Sequence, residues 1–89
     1  MLKNISCNLC VEIKSLQAEK YTDKILLNFG NHFQYVHYDY KLMKKYYLMA
    51  IDKGNLEAMN NLGIYYATIE KNYDLMKKYY LMAIEKGNL

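Results

Sequence analysis

Apolar positions along the chain fall at helical intervals. Met59, Leu62, Tyr66 and Ile69 are spaced by three, four and three residues, one stripe of a helix predicted from about Leu56 to Glu70. Met76, Tyr79, Tyr80 and Ala83 mark a second helix from about Tyr73 to Lys86. Asn55 and Asn72 stand just before these helices, where a side-chain oxygen can accept from a free backbone amide. Gly54 and Gly87 are expected to supply the left-handed residue that ends a helix. Gly30 and Gly63 fall inside the first helices, at a cost of about 1 kcal/mol relative to Ala. The expected reason is close approach of the second helix.

The same pattern is written twice. Slid over itself by 33 residues, the chain aligns without a gap, and Leu42 to Leu56 match Leu75 to Leu89 everywhere except Asp52, which meets Glu85. Upstream, Asn28 meets Asn61, Gly30 meets Gly63, Phe33 meets Tyr66 and Tyr40 meets Tyr73. Seventeen of 32 aligned positions are identical, too many for two unrelated helix pairs. Extending the offset leftward places Leu9 on Leu42, Cys10 on Met43 and Ile13 on Tyr46, the trace of an earlier second helix. One such pair cannot bury both sides of its stripe, so successive pairs must stack. The expected fold is all-α: a right-handed α-solenoid of antiparallel helix pairs, of about two and a half repeats. Residues 1–24 read as a degenerate leading helix, 25–57 as the first repeat and 58–89 as the second.

These residues resemble the Sel-one-like repeats, relatives of the tetratricopeptide repeats. The family pattern of Ala, Leu-Gly and Tyr appears as Ala58, Leu62-Gly63 and Tyr66. Its second half is similar to Asp39, Met43, Tyr46-Tyr47, Ala50 and Gly54, and again to Asn72, Met76, Tyr79-Tyr80, Ala83 and Gly87. The chain departs from the family in lacking its Gly-x-Gly-Val loop, which shortens the unit to 33 residues, and in placing Ile25 and Phe29 where Ala and Leu are usual. The resemblance implies an adaptor that binds proteins and whose repeats carry no catalytic residues.

Eighty-nine residues form one domain at most, and a chain this short buries only about 60% of its unfolded surface. The basic set is all Lys, with no Arg, in a composition that fits an AT-rich genome. Net charge is +3, and without the planar guanidinium fork a nucleic-acid interface is disfavoured. No apolar run approaches a membrane span, and the start has no sustained apolar stretch of a secretory signal. An intracellular, cytoplasmic location is expected, with Cys7 and Cys10 as reduced thiols.

Two chemical alternatives to protein binding arise. Cys7, Cys10, His32 and His37 are potential zinc ligands, but 21 residues separate Cys10 from His32, longer than a zinc finger allows. The repeat also places Tyr65, Glu70 and Met43 in the slots of His32, His37 and Cys10, which favours structural roles. Lys44-Lys45-Tyr46-Tyr47, recurring as Lys77-Lys78-Tyr79-Tyr80, suggests bases stacked between lysines. Its aromatics lie on the apolar stripe, however, and are expected in the core. No phosphate loop, nucleophilic triad or paired carboxylates appear, so neither enzyme chemistry nor a cofactor is expected.

A protein-binding adaptor is therefore the expected function, with a nucleic-acid-binding or zinc-dependent module as the alternative. On the first helices, Asn28, Asn31 and Tyr35, with Asn60, Asn61 and Ile64, are the candidate groove residues, since Asn offers both a donor and an acceptor to an extended peptide. Leu27, Gln34, Ala67 and Thr68 lie off the packing stripe beside them. No capping helix follows Gly87-Asn88-Leu89, so Tyr79, Met82, Ala83 and Leu89 are expected at an exposed stacking edge. The implied partner is a protein or peptide, or a second copy joined through this edge.

Overall fold

The computed structural model describes residues 21–87, which form helices α1 (Asp23–Tyr35), α2 (Tyr40–Asp52), α3 (Leu56–Tyr65) and α4 (Tyr73–Gly87), with no strand among the described residues. The described chain is therefore all-α. Most of the leading segment, and Leu89, lie outside it. α3 runs on into a wider π-type turn, Tyr66–Glu70, so the first helix of the second unit reaches Glu70 as its apolar spacing predicts.

A side-chain oxygen caps the start of every helix. Thr22 Oγ1 accepts from the Ile25 amide at 3.3 Å, Asp39 Oδ1 from Leu42 at 3.1 Å, Asn55 Oδ1 from Ala58 at 2.7 Å and Asn72 Oδ1 from Leu75 at 3.2 Å. Such a cap contributes about 1 kcal/mol by satisfying an otherwise unpaired amide. Gly54, at φ +87°, ends α2 in the left-handed conformation expected of it. Gly87 differs, because α4 winds through it with no positive φ. The first helices end without glycine at all: Tyr38 and Lys71 take φ of 54° and 55°. The amides that follow them, Asp39 and Asn72, then donate to the Phe33 and Tyr66 carbonyls, both at 2.8 Å.

Contacts at both ends make each pair antiparallel. The end of α1 meets the start of α2 through the Asp39–Phe33 bond, and Lys53 Nζ donates to the Tyr21 carbonyl at the other end, at 2.7 Å. The end of α3 meets the start of α4 in the same way, while a Cβ added to Gly87 would lie 3.0 Å from Leu56 Cδ2 at the far end. Between the helices, Phe33 stacks on Tyr46 at 5.7 Å and 12°, and Tyr66 on Tyr79 at 5.8 Å and 10°. Lys45 caps the Tyr46 ring at 5.5 Å and Lys78 the Tyr79 ring at 5.3 Å. Caps, the left-handed pair Tyr38 and Lys71, stacked rings and lysines recur at the 33-residue offset of the sequence.

Gly30 and Gly63 explain themselves at the same register. A Cβ on Gly30 would overlap the Tyr47 ring, and one on Gly63 would lie 2.6 Å from the Tyr80 ring, well inside van der Waals contact. Leu26, Phe33, Met43, Tyr46, Tyr47 and Leu62 are the large side chains sealed deepest in the core. The two pairs meet where α2 packs on α3, with Tyr40 against Tyr65 at 5.3 Å between ring centroids. No described helix is long and apolar enough to cross a membrane.

Candidate functional site

The groove residues of the first helices divide into two sets. Asn28, Tyr35, Asn60 and Ile64 are exposed, as a binding surface requires. Asn31 and Asn61 are half-buried and already engaged: Asn61 Nδ2 donates to Asn31 Oδ1 at 3.3 Å. The Tyr47 hydroxyl, reaching across Gly30, lies 2.5 Å from Asn31 Oδ1 and 2.8 Å from Gln34 Oε1. This polar cluster ties α1, α2 and α3 together, so those two Asn side chains serve the fold before any ligand. Burial foremost pushes the Tyr47 hydroxyl far above the ordinary phenol range. Leu27 is buried too, and Gln34 is held by the same hydroxyl.

The second relationship concerns one stripe on the second helices. On α2 it runs Tyr40, Lys44, Tyr47 and Ile51, and α3 with its following turn lies along it. Tyr65 meets Tyr40, and Glu70 pairs with Lys44 at 2.5 Å. Lys44 also sits 5.2 Å from the Tyr65 ring centroid and 5.6 Å from that of Tyr66. Tyr65 donates to the same Glu70 oxygen at 2.6 Å. The Glu70 hydrogen bond holds the Lys44 ammonium above its usual range, and the Lys44 and Tyr65 hydrogen bonds hold the Glu70 carboxyl below its own. Burial, reinforced by the bond to Glu70, pushes the Tyr65 hydroxyl up to about 12.

On α4 the same stripe is Tyr73, Lys77, Tyr80 and Ile84, residue for residue identical. Here no described helix covers it. Ile84 is 57% exposed where Ile51 is 8% exposed, and Tyr73 is exposed where Tyr40 is half-buried. Lys77 has no carboxylate partner among the described residues. Asn31 and Gln34 are replaced by Ile64 and Ala67, so the Tyr80 hydroxyl loses both acceptors of its counterpart. A shallow groove lined by Leu56, Asn60, Ala83, Ile84 and Gly87 opens beside this stripe. Its first-unit counterparts include Leu27, Ala50 and Ile51, all buried, with Asn55 Nδ2 donating to Asp23 there at 2.8 Å.

The exposed edge is thus rotated from where the sequence places it. Tyr79 and Ala83 are buried, because they face α3 and Tyr79 stacks on Tyr66. Met82 is half-buried against the core, and Leu89 lies outside the described residues. The open positions belong to the adjacent stripe, one step round the helix, together with exposed Leu81. That rotation is hidden in the sequence, since both stripes carry large apolar side chains; only the identity between α2 and α4 could have found it.

His32 and His37 do come together, with ring centroids 4.8 Å apart. Among the described residues no group of three His, Cys, Asp or Glu side chains is arranged to hold a metal, and Cys7 and Cys10 fall outside them. Burial, then the charge of His37, lowers the His32 pKa, which favours a neutral structural imidazole. In the two Lys-Lys-Tyr-Tyr segments, Tyr46, Tyr47 and Tyr79 are buried, which removes their ring faces from any stacking base. The chain matches no family model, no curated protein and no solved structure.

Proposed function

We propose that the chain is a non-enzymatic protein–protein interaction module, an adaptor that docks partners on the open stripe of α4 and the exposed rim of the first helices. Its repeats form a right-handed α-solenoid of the Sel-one-like kind, with first helices on the concave side. The observation that supports this reading most is the unequal burial of identical residues. Ile51 is 8% and Ile84 57% exposed, although their own helices present the same stripe. An apolar side chain repeated in sequence but uncovered in place marks a surface shaped for contact. Asn28, Tyr35, Asn60 and Ile64 offer a second, more polar contact line on the first helices.

Site-specific photocrosslinking in the native cell tests the reading. A crosslinker at position 84 or 60 is expected to capture a discrete protein species, whereas one at exposed Lys41 captures none. No species from either 84 or 60 contradicts it.

A further inference from the structure

The covered stripe of α2 records what the open stripe of α4 is built to receive. Along α3 and its turn, which pack on α2, five side chains define the segment. Ala58 is fully buried near the start, Asn61 joins the Tyr47–Asn31 cluster, and Leu62 is sealed in the core. Tyr65 then meets Tyr40, and Glu70 pairs with Lys44. On α4 the receiving groups are all present: Tyr73, Lys77 and Ile84 are exposed, and Tyr80, packed across Gly63, is half-exposed.

We propose that the Tyr73–Lys77–Tyr80–Ile84 stripe docks one amphipathic helix of a partner polypeptide, carrying a small residue, Asn, Leu, a hydroxyl-bearing aromatic and an acid at the spacing of Ala58, Asn61, Leu62, Tyr65 and Glu70. This rests on the docking reading above and names its partner class. The small residue stands at the position of Ala58, which is fully buried within the chain. The Asn supplies a polar partner for the Tyr80 hydroxyl, which Ile64 and Ala67 do not provide. The aromatic lies against Tyr73, and its hydroxyl and Lys77 share the carboxylate, as Tyr65 and Lys44 share Glu70.

A second copy of this chain fits less well. The helix it would present, α1, carries Ile25 at the small position, Phe29 for Leu, His32 for the aromatic and His37 for the acid, which leaves Lys77 facing an imidazole. Its α3 is already held by its own α2.

The test uses the full isotope-labelled chain and a synthetic peptide of its own residues 54–72. Saturable nuclear magnetic resonance shifts are expected at Tyr73, Lys77, Tyr80 and Ile84, with Tyr40, Lys44, Tyr47 and Ile51 unmoved. Binding should weaken at least about tenfold for the peptide with Leu62→Asp and about two- to fivefold with Glu70→Gln. Ile84→Asp in the chain should abolish binding while its thermal midpoint is retained, since that side chain is exposed. Absence of saturable shifts at millimolar peptide, or shifts centred on the α2 stripe, overturns the proposal. So does self-association of the peptide-free chain that Ile84→Asp abolishes, which would seat a second copy there. Failure with crosslinks from position 60 retained removes this proposal alone; loss of those crosslinks as well removes the docking reading.

Discussion

The Tyr47 ring lies across Gly30 so closely that a Cβ there would overlap it, and Tyr80 lies across Gly63 in the same way. The two sites differ in what surrounds the ring: Tyr47 is fully enclosed, whereas Tyr80 is half-exposed. Gly30→Ala is expected to destabilise the chain by about 1–3 kcal/mol, because an overpacked, enclosed ring cannot yield. The gain in helix propensity of about 1 kcal/mol offsets only part of this. Gly63→Ala should cost less than Gly30→Ala, since Tyr80 can swing toward solvent. Chemical denaturation of both variants measures the difference.

The hydroxyls of the same pair should separate further. Tyr47→Phe leaves Asn31 and Gln34 without their shared partner and is expected to cost about 1 kcal/mol. Tyr80→Phe should fall within about 0.5 kcal/mol of the parent, having no such acceptors to lose. Thermal unfolding of the two variants side by side checks this.

Much of this arrangement was legible in the sequence. The doubled unit, the caps at Asn55 and Asn72, and the close approach at Gly30 and Gly63 follow from spacing and backbone chemistry alone. Three features did not. The sequence offers Asn31 and Asn61 as groove residues, but their amides bond within the fold, a use that depends on where the Tyr47 hydroxyl emerges. Helical spacing points to Tyr79 and Ala83 at the open edge because it gives stripes without saying which one a neighbour covers. The left-handed turns at Tyr38 and Lys71 carry no glycine and so no turn signal.

Between the units, Lys44 and Glu70 form an ion pair whose side chains are 32% and 33% exposed. A double-mutant cycle of Lys44→Ala and Glu70→Ala should yield a coupling of about 0.5–1 kcal/mol. That coupling should shrink in about 1 M salt, where screening shortens to about 3 Å. A coupling near zero at low salt would argue that the Tyr65 hydroxyl, and not the charge pair, holds Glu70.

Acid stability reports on His32. Burial and the His37 charge hold its pKa below 6.5, so the unfolded chain binds a proton more readily than the folded one. Stability is therefore untouched well above pH 6.5 and falls as pH drops below that value, until the folded imidazole protonates as well. The depressed Glu70 carboxyl acts lower: its stabilisation is present above pH 4.5 and lost as pH falls through its folded value. Thermal midpoints measured from about pH 7 down to about pH 5 should decline, and His32→Gln should flatten that decline.

Thiol accessibility at two equivalent positions distinguishes the covered stripe of α2 from its copy on α4, which no described helix covers. In a Cys7→Ser/Cys10→Ser background, Ile84→Cys of the purified chain should label within about tenfold of the unfolded rate, and Ile51→Cys at least about a hundredfold more slowly. Adding extract of the native cell should then protect position 84 and leave position 51 unchanged. Equal protection of the two positions in the purified chain, or no protection of position 84 in the extract, would show that α4 presents no docking stripe.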